Sequence, residues 1–115
     1  MTQDKVYDLE RRTYIFAKDC RVKIYNLKKT ISNIEDGKQL IRSSGSVAAN
    51  YIEANEKLRN KDFKFRLKIA RKEAKESTLW LKLLIDLNPN DNDLVNLLDE
   101  AEQLRRILSS IINKS

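Results

Sequence analysis

A chain of 115 residues that is 41% apolar and 35% charged, with only two glycines and one proline, fits long helices with solvated faces better than a sandwich or barrel. At this length it is expected to be one domain, 1–115, able to bury a core without staples, and its single cysteine excludes an internal disulfide and points to a reducing, cytoplasmic setting. The net charge is +6 with no histidine, which removes the usual general base, most serine and cysteine triads and the common zinc ligand sets.

The opening residues, from Met1 to Arg12, lack the apolar core of a signal peptide, and the longest apolar runs are too short to span a membrane. A first helix is expected over about 5–34. Leu9, Thr13, Phe16, Cys20, Ile24, Leu27, Ile31 and Ile34 alternate steps of three and four, the spacing of a packed seam. Cys20 on that seam reads as a small buried hydrophobe. Tyr7, Tyr14, Ile15, Val22 and Tyr25 form a second apolar edge, and Ser32, Asn33, Asp36 and Gly37 mark the following turn.

A second helix is expected over about 38–57, with Leu40, Ile41, Ser44, Val47, Ala48, Tyr51, Ile52 and Asn55 in phase. Its centre, Ser43-Ser44-Gly45-Ser46, is poor helix-forming sequence, since Gly alone costs about 1 kcal/mol against Ala. A loop is the rival reading there; the unbroken period on both sides favours helix. The third helix, about 62–87, carries the seam Phe63, Leu67, Ala70, Ala74, Ser77, Leu81 and Leu84. Its small centre matches that of the second helix, so the two are expected to face each other closely and antiparallel.

Asn88-Pro89-Asn90-Asp91-Asn92-Asp93 is the clearest turn, because Pro89 disfavours α geometry at Asn88 and the Asn/Asp run supplies a helix cap. The fourth helix, about 91–113, buries Leu94, Leu97, Leu98, Ala101, Leu104, Leu108, Ile111 and Ile112. Its early acids and late bases complement the helix dipole. The fold class is therefore all-α, an antiparallel up-down-up-down four-helix bundle.

The charge is concentrated. Lys57, Arg59, Lys61, Lys64, Arg66, Lys68, Arg71, Lys72 and Lys75 face only Asp62 and Glu73 over the same stretch, so this segment carries the whole positive excess. On a helix, Lys61, Lys64, Lys68, Arg71, Lys72 and Lys75 share one broad side away from the apolar seam. Such a line of cations can track nucleic-acid phosphates, with binding that falls steeply as salt rises. A merely solvated lysine face fits the same pattern. Only Phe63 and Phe65 interleave with these cations, so base stacking is not supported there.

Two further pairs sit at i, i+3 spacing, Asn50 with Glu53 and Glu73 with Glu76. A carboxylate metal site is conceivable but less favoured than a structural role, and a ferritin-like site needs histidine, so no metal or other cofactor is expected. The structural reading is that Glu53, Glu73 and Glu76 accept charge-assisted bonds from Arg42, Lys72, Ser43 or Ser46 and fix helix register or a subunit contact. Trp80, Leu83, Leu87 and Ile69 form a second apolar edge on the third helix. With the tyrosines of the first helix they exceed the needs of a monomer and point to an interface, against a monomer core around Trp80.

The run from Arg42 to Ala54, followed by that from Lys61 to Leu84, resembles a known family. The residues that carry the likeness are Arg42, Ser43, Ser46, Val47, Asn50, Tyr51 and Glu53, then Phe63, Ile69, Ala70, Glu73, Glu76, Trp80 and Leu81. They are similar to the small four-helix-bundle proteins encoded in intervening sequences of bacterial 23S ribosomal RNA genes. The match spans about residues 9–85, and the run from Asn50 to Ala54 departs from the usual family pattern. The resemblance implies a bundle that assembles into a ring-shaped homo-oligomer, a pentamer, with nucleic-acid binding as the expected activity. The accessory protein of diversity-generating retroelements is a similar protein, which implies RNA and a reverse transcriptase as partners. The expectation for function is thus a non-enzymatic bundle that binds RNA or DNA backbone. Its rival is an assembly module whose basic face meets an acidic protein.

Overall fold

The computed structural model describes residues 2–56 and 59–115, with side chains described from Leu9 onward. All regular structure among the described residues is helical: α1 (Thr2–Asn26), α2 (Ile31–Ala54), α3 (Asn60–Leu87) and α4 (Asn92–Lys114). The α1 seam behaves as its spacing demands up to Leu27, with Leu9, Thr13, Phe16, Cys20 and Leu27 buried. It then stops. Ile31 is 84% exposed and Ile34 is also exposed, because the chain turns earlier than the sequence suggested, with α1 ending at Asn26 and α2 starting at Ile31.

The first turn thus corrects the helix boundaries at 34 and 38. Thr30, in extended conformation, caps α2 by accepting the Asn33 backbone N–H at 3.1 Å. Threonine at an N-cap satisfies a donor that the first helical turn leaves orphaned, so helix begins at Ile31 despite the polar run. Asn33 and Gly37 serve packing. A Cβ on Gly37 would stand 2.8 Å from Ile24 Cγ2, so the missing side chain is what lets α1 approach α2. Asn33 is buried and trades side-chain amide bonds with Asn88 at 3.1 and 2.9 Å, tying the α1–α2 turn to the α3–α4 turn. The other boundaries shift less. α2 ends at Ala54, α3 starts at Asn60, and Asp91 caps α4 by accepting Leu94 N–H at 3.2 Å.

Helix continues through Ser43-Ser44-Gly45-Ser46, as the period required. Ser43 and Ser44 are buried, and the Ser43 and Ser77 hydroxyls lie 2.8 Å apart across the α2–α3 seam. Asn33 with Asn88, Ser43 with Ser77 and Asn50 with Arg66 pair rising α2 positions with falling α3 positions, so these helices are antiparallel. Arg12 with Glu100 and Lys23 with Asp91 do the same for α1 and α4. Each helix packs on its chain neighbours, α1 also touches α4, and the diagonal pairs do not meet. The result is a four-helix bundle of 44 × 25 × 20 Å around a leucine-rich core. None of the buried side-chain polar atoms among the described residues lacks a partner. Among the described residues, no helix is long and apolar enough to cross a membrane.

Candidate nucleic-acid interface

Helical spacing dictates what the outside of α3 presents. Lys61, Lys64, Lys68, Arg71, Lys72 and Lys75 recur at steps of three and four, which places them on one side of a helix. The structure keeps them together: Lys61, Lys68, Lys72 and Lys75 are exposed, Lys64 and Arg71 half-exposed. None of these six forms an ion pair among the described residues. Arg71 reaches Ser109 of α4 at 3.5 Å, a neutral partner that leaves its charge uncompensated. One more turn-and-turn step brings Lys82, also exposed, onto the same side. The sequence reading stopped at Lys75; the seven-residue step from there to Lys82 is the signal that extends the stripe to roughly 32 Å.

The remaining cations of the segment scatter. Arg66 turns to the α2 side and donates to Asn50 Oδ1 at 3.3 Å. Arg59 is exposed at the start of α3, and Lys57 lies outside the described residues. On α4, Arg105 and Arg106 both pair with Glu102 and add little free charge.

A second constellation lies on the α2–α3 side. Glu73 is buried and accepts from Arg42 Nη1 at 3.2 Å, while Arg42 Nη2 bonds Glu76. Glu76 also accepts the Trp80 indole N–H at 3.0 Å. Beside them, Asn50 donates to the Ser46 carbonyl and hydroxyl at 2.9 and 3.1 Å. The structure thus gathers Arg42, Glu73, Glu76 and Trp80 into one network and Ser46, Asn50 and Arg66 into another. Glu53 and Lys72 join neither: both are exposed, and the Glu53 carboxylate takes no bond among the described residues. Trp80 is half-buried against the core, whereas Leu83 is exposed and Leu87 is 62% exposed. No group of three His, Cys, Asp or Glu side chains among the described residues could hold a metal ion.

The α1 side carries the tyrosines that the sequence assigned to an interface, together with cations it did not single out. Tyr14 and Tyr25 are 62% and 77% exposed, and around them Arg11, Lys18, Lys28 and Lys29 are exposed as well. The side chain of Tyr7 lies outside the described residues. Between α1 and α4 runs an open groove of about 660 Å³ with an apolar floor that includes Phe16 and Leu97. Lys23 bridges one end, with its Nζ 3.0 Å from Asp91 and 2.9 Å from Asp93. Burial works against the charge on both Lys23 and Asp91. Bonds to Asp93 and Asp91 outweigh it on Lys23, and bonds from Lys23 and the Leu94 N–H outweigh it on Asp91, so Lys23 is held above its ordinary range and Asp91 below its own. Cys20 is a different case: burial pushes its thiol up to about 12, so it stays an inert neutral side chain.

With this geometry in place, comparison with known proteins is informative. A family model described as 23S rRNA-intervening sequence protein matches residues 10–110. A solved structure from Bacteroides thetaiotaomicron, described as a protein of unknown function from the S23 ribosomal protein family, is similar over 95% of this chain and 98% of its own. Identity is 32% and the TM-score 0.75. No protein with a curated description matches.

Proposed function

We propose that this chain, which belongs to the 23S rRNA-intervening sequence protein family, is a non-enzymatic bundle that binds the phosphate backbone of RNA or DNA through the outer side of α3. The observation that carries this reading is the stripe of six cations, extended by Lys82, without one acidic partner among the described residues. Surface lysines in helices are commonly offset by acids at i±4. Lys72 and Lys82 have Glu76 and Asp86 at i+4, but Glu76 bonds Arg42 and Trp80 instead and neither lysine is paired among the described residues, so the local potential stays positive along most of the helix and attracts a polyanion. Each phosphate neutralised releases a counterion, so affinity should fall steeply with salt.

Assembly into a ring is part of the same proposal. The apolar edge of Phe65, Leu83 and Leu87 supports it, since these residues are exposed on one protomer and leave α3 on the same side as Glu76. A ring repeats the α3 stripe and multiplies its field; a pentamer is the state expected.

A salt titration with generic RNA tests the reading. Binding at roughly 50 mM salt that collapses by 200 mM supports it, and Lys68→Ala with Lys72→Ala should lower both the affinity and the salt slope. Absence of binding at low salt sinks it. An equilibrium sedimentation mass of 13.5 kDa at micromolar concentration would refute the ring.

A further inference from the structure

We infer that the outer face of α1 is a stacking platform for single-stranded nucleic acid, with Tyr14 and Tyr25 stacking bases and Arg11, Lys18 and Lys29 contacting phosphates. This rests on the phosphate-binding reading above and deepens it, because α1 and α3 stand on diagonally opposite edges of the bundle and do not touch.

The placement follows from spacing. Positions 11, 14, 18 and 25 are separated by three, four and seven residues, so all four side chains leave α1 on one face. The structure exposes every one of them, and the chain then carries Lys29 back to that face, where its Nζ lies 3.3 Å from the Tyr25 carbonyl. Tyr14 and Tyr25 stand roughly 16 Å apart along the helix, the reach of a few nucleotides of an extended strand. No acid divides them. Asp19 lines the groove against α4, and half-exposed Glu10 lies a turn before Tyr14, outside the stretch between the two rings. None of Arg11, Lys18 and Lys29 forms an ion pair among the described residues.

This chemistry selects the occupant. Isolated, highly exposed aromatic rings surrounded by unpaired cations are poor material for a contact between copies of this chain, because both basic faces repel their like. An apolar protein helix would leave the cations uncompensated. A single strand satisfies both requirements, since every base has a π-face and every linkage a negative charge. Duplex does not, because its bases are already stacked on each other. The α3 stripe has one exposed ring, Phe65 near its start, against seven cations, and suits any phosphate backbone, so the two faces differ in what they distinguish.

The test compares a labelled single-stranded oligouridylate of about 16 nucleotides, the upper end of a usual single-strand site, with an RNA duplex of the same length, by fluorescence anisotropy on the full chain. Replacing Tyr14 and Tyr25 together by Ala should weaken single-strand binding at least ~10-fold while leaving duplex binding within about twofold. The double Tyr→Phe variant should bind both like the wild type, since stacking needs the ring alone. Both tyrosines are exposed, so the variants keep the fold, which circular dichroism checks. Unchanged single-strand affinity in the Ala variant overturns the inference and leaves the α3 reading standing. Equal loss for both probes overturns it too, as does a shift in sedimentation mass, which would assign the face to a protein contact. Failure of the wild type to bind either probe overturns both readings together.

Discussion

Two seams of this bundle are built in opposite ways. Between α2 and α3 the helices meet through Ser43, Ala70, Ala74 and Ser77, all buried, with a hydroxyl pair at 2.8 Å in the middle. Between α1 and α4 the contact is thin, and long charged side chains span an open groove, Arg12 to Glu100 and Lys23 to Asp91 and Asp93. Small side chains let backbones approach until van der Waals packing closes the seam, which leaves no room for larger groups. Ion pairs reach across a gap without closing it, and partial exposure screens them. One seam should therefore fail on added volume, and the other should answer to pH and salt.

The strongest test of that contrast is Ser77→Leu. It drives added methylenes into a seam with no free space and removes a partner of the Ser43 hydroxyl, so unfolding stability should drop by about 3 kcal/mol. A chemical denaturation midpoint that barely moves would show that the α2–α3 seam can open. Next in size is Asp91→Ala, which deletes both the α4 cap and the Lys23 pair and should cost about 1–2 kcal/mol at neutral pH.

That second cost has a definite pH dependence. The folded pKa of Asp91 lies below its unfolded value of about 3.9, so its contribution is present above that value and is lost as pH falls through the lower folded one. Lys23, held above its ordinary range, contributes below about pH 10.4 and loses that contribution as pH rises further. The difference between wild type and Asp91→Ala should hence shrink in acid, as thermal melts from pH 6 down to about 2 would reveal. If the gap stays constant, the charge on Asp91 is irrelevant.

Ser43→Ala is expected to be milder, about 1 kcal/mol, because Ser77 keeps its bond to the Glu73 carbonyl at 2.9 Å and no buried donor is orphaned. Smallest is Glu100→Gln, which weakens the Arg12 pair while preserving shape. At 25% and 28% side-chain exposure this pair should contribute below about 1 kcal/mol, and added salt should erase part of the difference. A larger effect in Glu100→Gln than in Ser77→Leu would invert the comparison.

Much of this was legible in the chain. The seams of α3 and α4 were read almost residue for residue, because a helix repeats its buried face every three to four positions and leucine there has few alternatives. The small centres of α2 and α3 also announced their contact, and Arg42 with Glu73 and Glu76 was named before any coordinates. The first turn was misread. Asn33 and Gly37 have turn chemistry, yet Thr30 caps the helix before them, and burial against Asn88 and Ile24 assigns them to packing. The α1 tyrosines were read as surplus hydrophobes, because sequence does not say which acids face elsewhere. Asp19 is next to Lys18 in sequence but lines the groove against α4.

Sequence by itself determined the four helices and where the positive charge is concentrated, since both follow from local period and composition. Tertiary structure alone decided which small residues are packing sites, which cations are neutralised and which are left free. Those outcomes depend on partners distant in the chain: Asn88 for Asn33, Asn50 for Arg66, Glu73 and Glu76 for Arg42. A helix period fixes the direction in which a side chain leaves its own axis, and only the neighbouring helix fixes what it meets there.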